Sequence, residues 1–296
     1  MFKSGFVTII GKANVGKSTL LNSLVNQKVS ITSPKPQTTR NKINGIVTTK
    51  DYQIVFTDTP GIHKSKNKLD SFMDEAIKSS LEGIDVLIYM VDGLKPFEED
   101  DIRLIEKYSK TDVPVICVVS KIDKTSYEKL YPKLSKLNAL ENVKDIIPIS
   151  SYRKKNLDIL MQTILKYINE GQRYYEEDEV TDVSLKFLSS EIIREKALLF
   201  LQQEVPHGLA VVIDNYTEGE NLLKISATIF CEKPAHKQII IGAKGEMLKK
   251  IGSSARAEIE KLVSCKVFLQ LWVKVKENWR SDDILVTNLG YNKKDI

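Results

Sequence analysis

The 296-residue sequence predicts an α/β domain, a mostly parallel sheet with helices on both faces, followed by a smaller α+β domain. Three observations predict it. Short apolar runs alternate with helical stretches over the first 170 residues, and a glycine-rich loop follows the first run directly. Composition then turns polar and acidic at Gly171, before a second patterned unit begins. Near-continuous apolar strands alternating with helices fit a parallel sheet buried on both faces.

The first apolar run, 6–10, leads through the loop into a helical pattern over 17–24. Strands follow at 54–57, 85–91, 113–119 and 146–149, with helices at 68–82, 98–110 and 157–170 between and after them. This first domain spans 1–170. A polar, acidic linker covers 171–184. The second domain, 185–280, reads as helix 187–201, strands 208–214 and 222–231, an apolar segment with a glycine pair, helix 253–263 and strand 266–275. Residues 281–296 read as a C-terminal tail.

Bulk composition, 42% hydrophobic and 28% charged, is that of a globular protein long enough for two cores. No apolar run approaches the roughly 18 residues of a membrane-spanning helix. The chain runs almost at once into a strand, so no signal peptide is expected. Cys117, Cys231 and Cys265 form no CxxC pair, which fits reduced thiols in a cytoplasmic protein. Net charge is +5, but 236–280 alone holds ten Lys/Arg against four Glu, or +6, leaving −1 for the rest. Such a local surplus suits a polyanionic partner, although charge clusters are usually solvated faces.

Gly11-Lys12-Ala13-Asn14-Val15-Gly16-Lys17-Ser18 has the Gly-x-x-x-x-Gly-Lys-Ser spacing in the strand–loop–helix context that motif requires. Its backbone N–H groups and the helix N-terminus suit phosphates, Lys17 adds a full charge against the β/γ oxygens, and Ser18 offers a hydroxyl to Mg²⁺. Such loops serve ATP and GTP alike, so the base must be read elsewhere. Ser120-Lys121-Ile122-Asp123 resembles the Asn-Lys-x-Asp element of small GTPases. A carboxylate at Asp123 accepts both N1–H and N2–H of guanine, Lys121 lays its stem along the base, and Ser120 replaces Asn with a shorter brace to the phosphate loop. Ser150-Ser151 stands where such GTPases keep a pair whose backbone meets guanine O6.

Asp58-Thr59-Pro60-Gly61 matches the GTPase Asp-x-x-Gly, with Asp58 toward Mg²⁺ and the Gly61 N–H toward the γ-phosphate. In the polar stretch before it, Gln37-Thr38-Thr39-Arg40 marks the first switch loop. Thr39 is the expected Mg²⁺ and γ-phosphate ligand, with Thr38 the competitor. Where Ras-like proteins carry a water-orienting glutamine, this chain has Ile62. Slow intrinsic hydrolysis is therefore expected. Asn14 occupies the place of the asparagine in the Pro-Asn-Val-Gly-Lys-Ser loops of K⁺-stimulated GTPases. That makes it the candidate for binding a K⁺ that does the work of an arginine finger.

In the second domain, Gly242-Ala243-Lys244-Gly245 leads into Glu246-Met247-Leu248-Lys249-Lys250. A Gly-x-x-Gly between helices, with lysine inside and after it, is how KH domains clamp a single-stranded backbone. By itself the motif is as often a plain turn. Taken alone, the stripe around Trp272 reads as a core strand.

With both halves in view, the chain resembles the Era family of bacterial GTPases over nearly its whole length. The residues that carry the resemblance are the nucleotide elements, Gln37 to Arg40, the run Glu191-Ile192-Ile193-Arg194-Glu195-Lys196, Gly242 to Gly245, and Leu271-Trp272-Val273-Lys274-Val275-Lys276. The resemblance implies an α/β P-loop GTPase domain followed by an α+β type II KH domain. It implies a monomeric GTP/GDP- and Mg²⁺-dependent switch that hydrolyses GTP, binds the 3′ region of 16S ribosomal RNA and assists 30S maturation. It also implies partial association with the inner face of the cell membrane. A different class of reading makes the C-terminal domain a protein- or membrane-docking module. An ATPase or kinase is disfavoured by Asp123.

Overall fold

The computed structural model describes residues 1–110 and 112–292. Contacts divide it into two compact units that interleave along the chain. The first takes Met1–Ser30, Thr39–His63 and Ala76–Asp182; the second takes Ile31–Thr38, Lys64–Glu75 and the chain from Val183 onward. The expected division into 1–170, 171–184, 185–280 and 281–296 differs from this: two short segments around the nucleotide motifs group with the C-terminal unit.

The first unit is a six-stranded sheet in the order β2-β3-β1-β4-β5-β6. Its strands are β1 (Lys3–Gly11), β2 (Ile43–Thr48), β3 (Tyr52–Asp58), β4 (Val86–Asp92), β5 (Val115–Ser120) and β6 (Val143–Pro148). All neighbours run parallel except β2, which pairs antiparallel with β3. Its helices are α1 (Lys17–Val25), α3 (Glu99–Tyr108), α4 (Tyr127–Asn138) and α5 (Leu157–Tyr167), whereas α2 (Lys68–Ser79) divides, its residues up to Glu75 grouping with the second unit. Val7, Ile9, Ile10, Val55, Ile88 and Val118 are fully buried, as two-sided coverage of a parallel sheet demands.

The sequence reading missed β2 and α4. Strand β2 lies inside a stretch that looks merely polar, and α4 carries Pro132, which discourages a helical reading. Its Leu130 and Leu137 are nonetheless buried at helical spacing. The expected linker is also partly a strap. Gln53 of β3 accepts the N–H groups of Tyr174 and Tyr175 at 2.7 and 3.0 Å and donates to Tyr175 O at 2.9 Å. Val180 O takes the N–H of Ile46.

The second unit has the order α6 (Leu185–Phe200), β7 (Ala210–Glu218), β8 (Leu222–Cys231), α7 (Pro234–Ile241), α8 (Glu246–Val263) and β9 (Lys266–Val275). Strands β7 and β8 are antiparallel, and β8 and β9 parallel. Ile192, Ile193, Ile225, Ile229, Ile251 and Ile259 form its core between helices and sheet. Helix α8 starts at Glu246, directly after the second glycine of the Gly-x-x-Gly and seven residues earlier than 253–263 predicts. The tail is not plain tail. Helix α9 (Asp283–Asn288) brings Val286 and Leu289 against Trp279, which is fully buried and donates from its indole N–H to Gly208 O at 2.9 Å. Residues 293–296 of the expected tail lie outside the described residues. Trp272 also departs from expectation: it stands 46% exposed on the outer face of β9, the face that also carries the exposed Phe268, while Val267 and Val273 point inward.

Candidate functional site

Strand β1 lies between β3 and β4, and the chain leaves it toward opposite sides, so a crevice opens beyond the carboxyl ends of the strands. Every nucleotide motif read from the sequence sits at such an end: Gly11 on β1, Asp58 on β3, Ser120 on β5, and Ser150 just past β6. The loop 11–16 connects β1 to the N-terminus of α1, where unpaired N–H groups and the helix dipole favour an anion.

Lys17 is buried, with Nζ 3.2 Å from Gly11 O and 3.3 Å from Lys12 O. Burial pulls its pKa from 10.5 down to about 8, against the opposing pull of the Asp58 charge. Burial likewise pushes the Asp58 carboxyl upward, countered by Lys17 and the hydroxyls of Ser18, Ser30 and Thr39. A polyphosphate beside Lys17 would supply the negative charge this ammonium lacks. The Lys12 side chain turns aside to pair with Asp101 at 2.7 Å, so only its backbone faces the loop. Ala13 fits against Gly61: a Cβ on Gly61 would stand 2.7 Å from Ala13 Cα. Only glycine allows that approach, which keeps the Gly61 amide beside the phosphate loop. The N–H of Ile62 donates to Gly11 O at 3.0 Å, closing the same contact.

Hydroxyls converge on Asp58. Ser18 Oγ donates to Asp58 Oδ2 at 2.6 Å, Ser30 Oγ at 2.9 Å and Thr39 Oγ1 at 3.3 Å, and Ser18 Oγ lies 2.8 Å from Thr39 Oγ1. Asp58 Oδ1 is buried without a hydrogen-bond partner. An all-oxygen set with one orphaned carboxylate oxygen suits a hard cation such as Mg²⁺. Thr38 instead turns back on its own loop, donating to Lys35 O at 2.7 Å. Ser30 was missed, since a lone serine outside any motif carries no signal in the sequence. Thr59 is buried and donates to Ile9 O at 2.8 Å, which anchors the turn at Pro60.

The base side is held by the same economy of short polar groups. Ser120 Oγ donates to Val15 O at 2.6 Å and lies 3.0 Å from Val91 O. The shorter side chain reaches the phosphate loop through its hydroxyl. Lys121 Nζ bridges Asn14 O and Asp92 Oδ2, each at 2.7 Å. Asp123 is exposed, and its Oδ1 accepts from the buried Ser150 hydroxyl at 2.6 Å. Ile122 N–H donates to Ile149 O, and the Ser150 N–H donates to Lys155 O. A cavity lined by Val15, Gly16, Thr19, Lys121, Asp123 and Ser151 opens here.

Ile62 packs on the core of the first unit, among Ile10, Tyr89 and Ile105. Its side chain has no polar atom to offer an attacking water. His63, which the sequence reading passed over, follows it and places Nδ1 2.8 Å from Gly61 O.

In the second unit the turn Gly242–Gly245 links α7 to α8. Gly242 (φ 74°) and Gly245 (φ 81°) both lie in the left-handed region, as does Lys244 (φ 49°). A Cβ on Gly242 would strike Met247 at 2.7 Å, whereas one on Gly245 would meet only open space. The first glycine is thus required by packing, and the second keeps the loop's outer surface bare. Ala243, Lys244 and Lys249 are exposed around it. Lys250 is exposed too, but its ammonium lies 4.5 Å over the Phe200 ring.

The family described as 50S ribosome-binding GTPase matches residues 6–121, and the KH domain family matches residues 204–280. The GTPase Era of Caldanaerobacter subterraneus subsp. tengcongensis is 47% identical over 292 residues, 98% of each chain. The chain belongs to the Era family of GTPases. The Era protein of Halothermothrix orenii is 49% identical over 98% of this chain and 99% of its own. A crystal structure of Era in complex with MgGDPNP and nucleotides 1506–1542 of 16S ribosomal RNA superimposes with a TM-score of 0.95. It is 41% identical, over 98% of this chain and 99% of that one. An Aquifex aeolicus Era variant with a tyrosine-to-alanine substitution, bound to GDP.AlF4−, gives a TM-score of 0.94 at the same identity.

Proposed function

We propose that this chain is a GTP-hydrolysing switch whose C-terminal unit binds the 3′ region of 16S ribosomal RNA and assists maturation of the small ribosomal subunit. The observation that carries this reading is that one chain holds both a phosphate-and-guanine crevice and a bare, basic Gly-x-x-Gly turn. Its Era relative with a GTP analogue and a 16S segment matches it along nearly the full length.

In this reading the loop 11–16 and Lys17 hold the phosphates, Gly61 N–H faces the γ-phosphate, and Asp123 selects guanine. Ser18, Thr39 and Asp58 would hold Mg²⁺, which when bound neutralises charge on the β and γ oxygens. Because Ile62 cannot polarise water, hydrolysis by this chain alone is slow. Asn14 is its candidate K⁺ ligand. Asn14→Ala is expected to erase any K⁺-over-Na⁺ stimulation of the hydrolysis rate; a ratio equal to that of the wild type would remove Asn14 from that role.

On the RNA side, Gly245→Asp adds a carboxylate where space exists but phosphates should pass, at a strain cost of about 1 kcal/mol in the left-handed region. Gly245→Asp and Lys244→Glu are each expected to weaken binding of a 16S 3′-terminal RNA at least about tenfold while guanine nucleotides still bind. Unaltered RNA binding would favour the docking-module reading. Peripheral attachment to the inner face of the membrane belongs to this proposal too. No helix among the described residues is long and apolar enough to cross a membrane, so attachment would be from the surface. Crosslinking in cells followed by sequencing of the bound RNA tests the whole reading. Enrichment at the 3′ end of 16S ribosomal RNA is expected, and enrichment at no ribosomal site would refute it.

A further inference from the structure

The run Glu191 to Lys196 contains Arg194, the most deeply buried charge among the described residues of the second unit. Glu191, Arg194 and Glu195 share one face of α6, three and four residues apart, and all are buried, Arg194 completely. Glu191 grips Arg194 in a two-pronged pair, Nε to Oε1 at 2.8 Å and Nη2 to Oε2 at 2.5 Å. The planar guanidinium is thereby fixed, and its remaining donors reach backbone carbonyls: Nη1 lies 3.4 Å from Gln37 O, and Nη2 donates to Thr38 O. At the other end of the same loop, Glu195 Oε1 accepts the N–H of Thr32 at 2.8 Å. Lys196 pairs with Glu195 at 2.9 Å and with Glu258 of α8. A second tie holds the loop from the side, Gln37 Nε2 donating to Asp70 Oδ1 at 2.7 Å, while Asp70 Oδ2 accepts the N–H of Lys66 at 2.8 Å.

Buried ion pairs are poor sources of stability, because desolvation offsets most of the attraction. Their use is to fix one geometry. Here the geometry is that of the segment 32–38, with Gln37 held at φ 58°. The Thr38 carbonyl belongs to the same peptide group as the Thr39 N–H, so gripping that oxygen orients the plane from which Thr39 departs. The next side chain along, Thr39, is the one whose Oγ1 lies 2.8 Å from Ser18 Oγ.

We propose that Arg194, locked by Glu191, is a positioning residue for Thr39, and that this clamp is how α6 of the RNA-binding unit senses whether Thr39 has closed on the γ-phosphate. The proposal rests on the reading of Thr39 as the γ-phosphate threonine. Glu195 plays the matching part at Thr32, holding the start of the loop.

The test compares Arg194→Lys with Thr39→Ala and the double variant, titrating GDP and a non-hydrolysable GTP analogue with Mg²⁺. Lysine keeps the buried charge but has no planar fork to span two carbonyls and a carboxylate. Arg194→Lys is expected to lower the preference for the analogue over GDP about tenfold, with GDP affinity within about twofold of wild type. The double variant should lose no more than Thr39→Ala alone, since both act on one contact. A merely structural role would weaken both nucleotides alike. If Thr39→Ala lowers the preference and Arg194→Lys does not, the clamp is refuted and the Thr39 reading stands. If Thr39→Ala changes nothing, both fall. Hydrogen exchange on the wild-type protein needs no variant: the analogue, compared with GDP, should protect peptides covering 37–41 and 189–196 together. Protection of 37–41 alone would also overturn the proposal.

Discussion

Asp123→Asn is expected to weaken GTP binding at least about a hundredfold and to make XTP the better ligand. The exposed carboxylate at the end of the Ser120–Asp123 loop can accept from guanine N1–H and N2–H together. Charge-assisted hydrogen bonds of this kind contribute about 1.5–3 kcal/mol each, so losing the pair costs two to four decades. Asparagine keeps one acceptor but turns a donor toward the guanine amino group, where two donors face each other. Xanthine carries a carbonyl at that position and restores the match. Ser150, which holds Asp123 Oδ1 at 2.6 Å, can hold an amide oxygen as well, so the loop itself should survive. Titration with fluorescent GTP and XTP measures the exchange. Retained GTP affinity in the variant would mean that the base lies elsewhere.

Lys17→Met is expected to reduce GTP affinity by a comparable two orders of magnitude, and the wild-type protein should show the reason in its pH dependence. In the nucleotide-free fold burial brings the Lys17 pKa to about 8, whereas phosphate oxygens favour the charged form. GTP affinity should therefore be level below pH 8 and fall about tenfold per unit as pH rises above it. In Lys17→Met that slope should vanish. Folding stability runs in the opposite sense. The unfolded chain keeps this proton up to about 10.5 and the folded chain releases it near 8. Between those values the unfolded state holds more protons, and the contribution of Lys17 to stability rises with pH. Isothermal titration between pH 7 and 9.5 reads the affinity; a profile identical in Lys17→Met and wild type would contradict this account.

How much of this was legible beforehand depends on whether a residue works through a local pattern. The loop 11–18, Asp58 to Gly61, and Ser120 to Asp123 are short and contiguous, and each falls at a strand end, so spacing alone located them. Ser30 and Asp92 were not legible, because they reach Asp58 and Lys121 through the fold rather than along the chain. Serine is shorter than asparagine, so the sequence offers only a shorter brace at Ser120. In the structure the Val15 carbonyl lies near enough for a hydroxyl to reach. Trp272 misled in the other direction. In a strand of an α+β unit an aromatic reads as core, but the alternation of β9 buries its neighbours Val267 and Val273 and turns Trp272 out. The largest omission was topological. No periodicity announces that 31–38 and 64–75 group with residues beyond 183. That grouping is made by buried charges such as Arg194 and by Leu69, Phe72 and Met73 packing with Trp279. On a helix, Glu-x-x-Arg-Glu ordinarily marks a solvated face, and here it is the reverse.

If the guanine nucleotide controls how this chain meets RNA, the GDP and GTP states differ in RNA affinity. The most direct measurement is a titration of the full-length protein with an RNA of the 3′-terminal segment of 16S, once with GDP and once with a non-hydrolysable GTP analogue, with a scrambled RNA as control. Binding is expected to discriminate against the scrambled RNA and to differ at least about tenfold between the two nucleotide states. Equal affinities in both states, or no preference for the ribosomal sequence, would contradict this expectation.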